Sequence, residues 1–325
     1  MPRVLEGSCS ELTKKNVARI LFWIKGSLAA TLFELQSLAR GEQVNKLSEK
    51  QLQQWNTYGY LHLESVLDDN QVAHFVSEMD RIRGLPGYEP DNDPELPIGH
   101  YKWLESARDL DTEGFMDRRD LLIYGKDFID LMDQTPLFDY ILQIMGPNIM
   151  LSMTQAIVRN SSDTFPGYTH TDGGESLRTI QVTEGSPPIA MKAMFVLTDV
   201  TEKDSGNLTV FPGSQRNQIP YGGDEVMTPY SPGAHQLMGK AGDVYLFPHS
   251  LWHGPAKNIS ANARKILLYN YCQLWVRSYD HNVTPDIAQQ CSPRQRRLLG
   301  DLGYDFRPGS HFYVPKDQED VMRTA

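Results

Sequence analysis

The sequence predicts a mainly β fold with flanking helices, in which an antiparallel sandwich or barrel forms the core. Short apolar runs recur after Gly146, and each is bounded by Gly, Pro, Asn, Asp or Ser. No helical pattern separates these runs, so the strands are expected to pair antiparallel. Helical patterns come before and after them. The runs are IMLSMTQAIV (149–158), LRTIQV (177–182), IAMKAMFVLTDV (189–200), LTVFPGS (208–214), GDVYLFPHSLWHG (242–254) and KILLYNYCQLWV (265–276).

A long N-terminal segment of 23 residues, Val17 to Ala39, has apolar residues at a helical period. Charged residues at 19, 25 and 34 make it a poor membrane span. We therefore expect residues 1–46 to be a helical extension that packs on the main domain or on a second copy of the chain. A helix lying on a membrane surface is the alternative.

Two capped helices are predicted at the start of the main domain. Ser48 with Gln51 three positions later matches a capping box, and Gly59 is placed to end the first helix. Residues 60–66 then alternate like a strand. The second helix is expected to begin after Asp68 or Asp69 and to stop at Gly84.

Three further segments complete the predicted architecture. Residues 85–120 are rich in Pro, Gly and Asp, and we expect an irregular cover over the site. Residues 128–146 are expected to form two short helices, and SPRQRRLLGDLG (292–303) a helix in the tail. The predicted divisions are the extension 1–46, a core domain 47–280 with outer helices, and a helical and irregular tail 281–325 packed on the core.

Charge and cysteine usage limit the partners and the compartment. The formal net charge is −10, which argues against a nucleic acid or an anionic membrane as the main partner. The chain has three widely spaced cysteines, which favours a reducing compartment without a disulfide framework. The polar, mixed-charge start MPRVLEGSCSELTKK is unlike a signal peptide, so a cytoplasmic location is expected.

The stretch YTHTDGGE (168–175) contains candidate metal ligands. On an extended chain, His170 and Asp172 project to the same face, where an imidazole and a carboxylate can hold one cation. The pair alone also fits an ordinary polar turn. A third ligand could come from His249 or His253, and the residues around His253 favour it. His62-x-Glu64 has similar spacing but is expected to be a strand pair.

Two histidines and one carboxylate on one face of a metal leave adjacent positions open. This arrangement suits Fe(II) that holds a bidentate co-substrate and O₂, whereas zinc prefers a closed tetrahedron or one open site. Arg264 follows His253 by 11 residues and begins the next predicted strand. Its planar guanidinium could clasp a carboxylate, which we take to be the distal carboxylate of 2-oxoglutarate.

The set His170-x-Asp172, His253 and Arg264 resembles the phytanoyl-CoA dioxygenase family of Fe(II)- and 2-oxoglutarate-dependent oxygenases. Residues 47–83 are similar to that family's opening helix, strand and helix. LTDVTEKDSGNLTVFPGSQR (197–216) is similar to its segment in which Gly-x-Leu leads into Pro-Gly-Ser. The resemblance spans roughly Leu47 to Cys272. It implies a double-stranded β-helix (jelly roll, cupin-like) core, with Fe(II), 2-oxoglutarate and O₂ as cofactor and co-substrates.

Other positions of this chain are weighed against the family pattern. Gln215 stands where members usually have His after Pro-Gly-Ser, and Pro255 where some have Ser. Gln155 or Arg159 is assigned to the carboxylate of 2-oxoglutarate that ligates iron. Phe195 is expected either to border the co-substrate or to pack in the core. Substrate-pocket candidates that could equally lie at the surface are Tyr101, Trp103 and Arg118.

The resemblance implies hydroxylation of an unactivated C–H bond of a small metabolite, with conversion of 2-oxoglutarate to succinate. Asp172 is intact, whereas related halogenases have a small residue there, so chlorination is not expected. Two alternatives remain open. The same iron could carry out desaturation, epoxidation or cyclisation in natural-product biosynthesis, or the chain could be a non-catalytic jelly-roll binding protein.

Overall fold

The computed structural model describes residues 45–87, 110–112, 114–163, 169–173, 180, 186–216, 227–278, 283–301 and 316–324. All elements below lie within the unit Lys46–Ala325. Four predictions fall outside the described residues: the N-terminal helix at 17–39, the run at 177–182 apart from Ile180, the centre of the proposed cover, and the positions of Tyr101 and Trp103.

Two antiparallel sheets form the core. The larger has seven strands in the order β1-β8-β5-β10-β4-β3-β2, and the smaller has three in the order β7-β6-β9. The ten strands of the described residues are β1 (Leu61–Leu63), β2 (Leu110–Thr112), β3 (Phe115–Arg119), β4 (Ile149–Arg159), β5 (Ala190–Val196), β6 (Leu208–Val210), β7 (His235–Gln236), β8 (Val244–Pro248), β9 (His253–Pro255) and β10 (Arg264–Gln273).

The chain alternates between these sheets in the pattern of a double-stranded β-helix. His170 forms an isolated β-bridge with His253, so its segment lies beside β9 at the edge of the small sheet. Following the chain from β4, this segment joins the small sheet, β5 the large, β6 and β7 the small, β8 the large, β9 the small and β10 the large. The predicted jelly-roll core is confirmed.

Two local predictions need correction. The run 242–254 is two strands of different sheets, because the chain crosses from β8 to β9 through residues 249–252. The segment 85–120 is not irregular throughout, since β2 and β3 extend one edge of the large sheet next to β4. The last three residues of β3, Asp117, Arg118 and Arg119, are all charged, and this run of charge hid a strand whose burial nevertheless alternates.

The large sheet has one face toward the small sheet and one toward helices. Side chains of alternate residues on β10 define both faces. Ile266 and Leu268 pack with Val210 of the small sheet in one buried apolar cluster. On the other face, the Tyr269 hydroxyl donates to the Phe128 carbonyl at 2.7 Å. We call the first the inner face and the second the helix face.

Helix caps are observed where the sequence predicts them. Helix α1 (Glu49–Tyr58) has the Ser48 capping box and ends at Gly59, which adopts a left-handed conformation with φ 78°. Helix α2 (Asp69–Arg83) is capped by Asp68, which settles the choice between the two aspartates. Both caps satisfy backbone N–H groups that have no partner within the helix.

The helix face is covered by the segment between β3 and β4. It comprises a 3₁₀ turn at Leu121–Tyr124, α3 (Lys126–Asp130), a 3₁₀ turn at Leu131–Asp133 and α4 (Leu137–Met145). The tail contributes α5 (Pro285–Gln290), α6 (Pro293–Leu298) and α7 (Lys316–Thr324). The Gln295 amide of α6 donates to Asp133 at 2.8 Å. Within the part of the chain described here, no helix has the length and apolarity needed to cross a membrane.

Gly242 illustrates how tightly β8 is joined to the opening helices. Its φ is +96°, and a Cβ atom there would lie 2.5 Å from the Leu67 carbonyl oxygen. Gly242→Ala is therefore expected to lower the free energy of unfolding by about 2 kcal/mol or more. Urea denaturation measures the change. Gly84→Ala is the control, because a Cβ there meets only an ordinary contact at 3.7 Å, and an equal loss in both variants would contradict the prediction.

Candidate metal centre

Backbone pairing brings two histidines together. The His170 N–H donates to the His253 carbonyl at 2.8 Å, and the His253 N–H donates to the His170 carbonyl at 2.9 Å. Their ring centroids are 4.5 Å apart. The turn after His170 is held as well, since the Asp172 N–H donates to the His249 carbonyl at 2.9 Å. Backbone hydrogen bonds therefore fix the Cα positions from which these side chains project.

The three predicted ligands converge. Asp172 Oδ1 lies 3.8 Å from His170 Nε2 and 3.8 Å from His253 Nε2. One ligand atom from each residue lies within 4.8 Å of the others, which is the spacing of donors around a single cation. The side chains of His253, Asp172 and His170 are 6%, 16% and 29% exposed, so the cluster opens to solvent on the His170 side.

The protonation states suit metal binding. The His253 Nδ1 lies 2.8 Å from the Leu251 carbonyl, which fixes the tautomer with its proton on Nδ1 and leaves Nε2 as a donor to a metal. Burial lowers the pKa of His253 to about 3, so the ring is neutral. Burial alone would raise the pKa of Asp172, but the adjacent Lys192 ammonium holds it below its ordinary value. The set therefore offers a neutral imidazole from His253 and a carboxylate from Asp172, the forms in which these side chains bind a metal.

Lys192 is a part of this centre that the sequence reasoning missed. It lies on β5, and its Nζ is 2.5 Å from Asp172 Oδ1. The other oxygen, Asp172 Oδ2, is buried without a hydrogen-bond partner. The available signal was that Lys192 is the only charged residue in the apolar run IAMKAMFVL.

The side chains of the other candidate histidines do not join the three predicted ligands. His249 is buried, and its Nδ1 faces the Ala190 carbonyl at 3.3 Å. Burial lowers the pKa of His249, as expected for a neutral packed ring. His62 lies on β1, an edge strand of the large sheet, and its Nε2 is 2.8 Å from the Asp243 carboxylate. Among the described residues, the group able to hold a metal comprises His170, Asp172 and His253.

Arg264 is a buried cation on the inner face. Its Nε donates to the Gly206 carbonyl at 2.8 Å, and its Nη1 is buried without a hydrogen-bond partner. Burial, reinforced by Arg159, lowers the pKa of Arg264 to about 9. Such a group needs an anionic partner, which a carboxylate supplies. The guanidinium therefore fits the co-substrate that the resemblance implies.

Gly206 makes room for that arginine. Its φ is +76°, and a Cβ atom there would lie 3.2 Å from the Arg264 Cβ and 3.3 Å from its Cγ. The glycine of the Gly-x-Leu motif thus allows the backbone to approach the arginine stem, so that its carbonyl accepts a hydrogen bond from Nε. This close approach gives a physical reason for glycine at that position.

Gln155 and Arg159 both lie on the inner face of β4. Arg159 is the Cα partner of Arg264 on the next strand. The Gln155 amide donates to both carboxylate oxygens of Asp117 on β3, at 2.7 Å each. Burial raises the pKa of Asp117 despite this partner. The inner face of β3 and β4 is therefore polar beside the candidate centre.

Two other candidates are not brought to the site. Phe195 pairs with Leu267, on the face opposite to Arg264, and its ring packs against Tyr269 at 5.7 Å between centroids. Of the two roles considered for Phe195, its position on this face fits packing against the helices. Arg118 alternates with Asp117 and donates to the Arg83 carbonyl of α2 at 3.0 Å, so it also points to the helix face. The side chain of Gln215 is buried against Gly59.

The sequence matches one protein family and several curated proteins. The family model for phytanoyl-CoA dioxygenase (PhyH) matches residues 55–266. An ectoine dioxygenase of Bordetella parapertussis is 25% identical over 255 residues, which cover 71% of this chain and 77% of that protein. An ectoine dioxygenase of Nocardia farcinica is 25% identical over 256 residues, covering 69% and 78%.

Solved structures share the fold. HygX from Streptomyces hygroscopicus, in a crystal structure with nickel, 2-oxoglutarate and hygromycin B bound, superposes with a TM-score of 0.56 at 18% identity. The similarity covers 74% of this chain and 94% of that chain. At this identity, the likeness supports the jelly-roll architecture.

Proposed function

The chain belongs to the phytanoyl-CoA dioxygenase (PhyH) family, and we propose that it holds Fe(II) between His170, Asp172 and His253. It is an Fe(II)- and 2-oxoglutarate-dependent dioxygenase. The observation that carries the proposed site is the convergence of three ligand atoms within 4.8 Å on the paired ends of the small sheet. Two imidazoles and one carboxylate are a ligand set that suits ferrous iron and leaves positions for co-substrates.

The chain's own residues supply position and charge. Bound Fe(II) supplies the ability to activate O₂ and to couple decarboxylation of 2-oxoglutarate to oxidation of a substrate C–H bond. The Leu251 carbonyl orients His253, and the paired backbone of His170 and His253 sets the distance between the imidazoles. These contacts hold the ligands before the metal arrives, so little reorganisation is needed.

Arg264 is proposed to bind the distal carboxylate of 2-oxoglutarate. Its Nη1 supplies a buried donor, while its Nε bond to Gly206 fixes the plane of the guanidinium. Arg159, the cross-strand partner of Arg264, adds a second cation toward the same co-substrate. Gln155 is the weaker candidate for such a contact, because its amide already donates to Asp117.

The proposed reaction is hydroxylation of a small, polar metabolite. Substrate, 2-oxoglutarate and O₂ are converted into hydroxylated substrate, succinate and CO₂, so one oxygen atom enters each organic product. A polar inner face formed by Asp117, Gln155 and their neighbours favours a polar substrate over a hydrocarbon chain. Two relatives are ectoine dioxygenases, so ectoine and other compact zwitterions are the first candidates.

A screen of candidate metabolites tests this function. The full chain is loaded with Fe(II) and 2-oxoglutarate, and succinate released above the substrate-free rate identifies a substrate. Product mass then decides the outcome, because hydroxylation adds one oxygen atom while desaturation removes two hydrogen atoms. Anaerobic addition of Fe(II) and 2-oxoglutarate should give a weak visible charge-transfer band. Failure to develop this band would contradict the proposed site and favour a non-catalytic binding protein.

A cytoplasmic setting is also proposed. Cys272 and Cys291 are free thiols in the structure, as a reducing compartment would keep them. The acidic net charge of −10 supports a small-molecule substrate over a nucleic acid.

A further inference from the structure

Lys192 occupies a position that strand packing alone would give to an apolar residue. Its strand, AMKAMFV, is otherwise apolar, and its side chain is only 11% exposed. Its cross-strand partners on the inner face are Phe247 of β8 and Asn270 of β10. Burying an ammonium is unfavourable unless it is paired, so this lysine needs a specific anion. That anion is the Asp172 carboxylate, 2.5 Å away.

The ammonium occupies the carboxylate oxygen that the proposed metal needs. Oδ1 of Asp172 accepts from Lys192 and is also the oxygen 3.8 Å from both imidazole Nε2 atoms. A divalent cation among these three atoms would stand close to the ammonium. At the short distances involved, repulsion between the two cations is substantial even in a partly hydrated protein.

A second acceptor lies on the neighbouring strand, directly across from Lys192. Asn270, its cross-strand partner, is buried, and its Oδ1 has no hydrogen-bond partner. The Asn270 Nδ2 is fixed, because it donates to Ser152 Oγ at 2.7 Å. The amide is therefore anchored by its nitrogen and leaves its oxygen as an unused buried acceptor.

We propose that Lys192 is a resident counter-ion of the metal site, which pairs with Asp172 in the metal-free protein and transfers to Asn270 Oδ1 when a divalent cation binds. The inference rests on the proposed metal site. Lysine is not needed to preorganise the ligands, since backbone hydrogen bonds already position His170, His253 and Asp172. Its main effect is electrostatic: it stabilises the empty site and weakens the binding of the metal.

Removing the ammonium should have two opposite effects. Lys192→Met leaves Asp172 free for the metal, so the affinity for Mn(II) without 2-oxoglutarate should rise on the order of tenfold. The metal-free variant should melt at a lower temperature, because a buried carboxylate loses its partner. Mn(II) should then raise the melting temperature of the variant more than that of the wild type.

The coupling to Asn270 is tested in the same assay. Asn270→Ala removes the second acceptor, so it should weaken Mn(II) binding when Lys192 is present. In the Lys192→Met background the same substitution should leave Mn(II) affinity unchanged, because no ammonium needs a new partner. Equal effects of Asn270→Ala in both backgrounds would refute the transfer to Asn270.

These affinities are measured by titrating the full chain with Mn(II) and quantifying free Mn(II) by electron paramagnetic resonance. Lys265→Met is the matched control, because that lysine lies on the helix face of β10 and pairs with the exposed Asp80. The Lys265→Met variant should bind Mn(II) with the affinity of the wild type. Lys192→Gln, which also lacks the charge, should change affinity in the same direction and serves if Lys192→Met folds poorly.

The outcomes separate the two proposals. Mn(II) binding that is unaffected by His170→Ala would overturn the metal site itself. Binding that is lost in His170→Ala but unchanged or weaker in both Lys192 variants would overturn the role of Lys192 and leave the site intact.

Discussion

Replacing His170 by alanine is expected to lower substrate-coupled succinate formation by roughly a thousandfold or more while the domain stays folded. The substitution removes one of three proposed ligands, and the remaining pair cannot hold Fe(II) in a defined geometry. The fold should survive because the bridge between His170 and His253 is made by backbone atoms. Succinate release and thermal unfolding of the same preparation measure the two effects.

Two further variants sharpen this result. Asp172→Ala should be equally inactive but should also melt at a lower temperature, because it leaves Lys192 buried without its partner. His74→Ala is the control, since His74 is an exposed residue of α2 that pairs with Asp127. Undiminished turnover in His170→Ala, or a comparable loss in His74→Ala, would show that the cluster is not the catalytic centre.

Arg264→Lys is expected to raise the concentration of 2-oxoglutarate needed for half-maximal turnover by about a hundredfold. Lysine keeps the charge but cannot donate from Nε to Gly206 and from a second nitrogen to a carboxylate at once. Loss of a charge-assisted hydrogen bond of this kind costs about 3 kcal/mol, which corresponds to that factor. Arg264→Ala should show a still larger increase.

The concentration dependence of succinate formation on 2-oxoglutarate distinguishes this from a general loss of activity. Mn(II) affinity should be unchanged in Arg264→Lys, because the arginine is not a metal ligand. Arg216→Lys serves as the control, since the Arg216 guanidinium donates to Asn56 in an exposed contact. If Arg264→Lys lowered the maximal rate and left the 2-oxoglutarate requirement unchanged, the guanidinium would not be the carboxylate site.

The elements that the sequence predicted well are those encoded locally. The Ser48 box, the Gly59 stop and the start of β10 at Arg264 depend on a few neighbouring residues, and the structure has them where the sequence predicted them. The grouping of His170, Asp172 and His253 depends on strand order, which the family resemblance supplied and residue spacing alone does not. The spatial cluster agrees with that expectation.

The choices that the sequence left open concern which face of the sheet a residue occupies. Phe195 and Arg118 were considered near the site, but each lies one residue out of phase with the inner face. A shift of one residue moves a side chain to the opposite face, and register is set by pairing with distant strands. The pairing of β10 with β4 also shifts at Asn270 and Tyr271, which a regular alternation does not anticipate.

Lys192 was missed for a related reason. The residues around a single lysine in an apolar strand do not indicate its partner. Asp172 lies in the turn after His170, beside the small sheet, whereas Lys192 lies on the large sheet. The polar inner face of β3 obscured that strand in the same way, because Asp117 pairs with Gln155 across the sheet. A buried charged residue whose partner is distant in the sequence cannot be distinguished, from the sequence alone, from an exposed one.

The bridge between His170 and His253 has a mechanical consequence. It joins segments that are far apart along the chain, so an ion held by both imidazoles would act as a cross-link that closes a long loop. Such closure removes entropy from the unfolded chain, and the cost of a loop grows only slowly with its length. Metal binding should therefore stabilise the folded enzyme, and the enzyme should unfold more easily when metal is scarce.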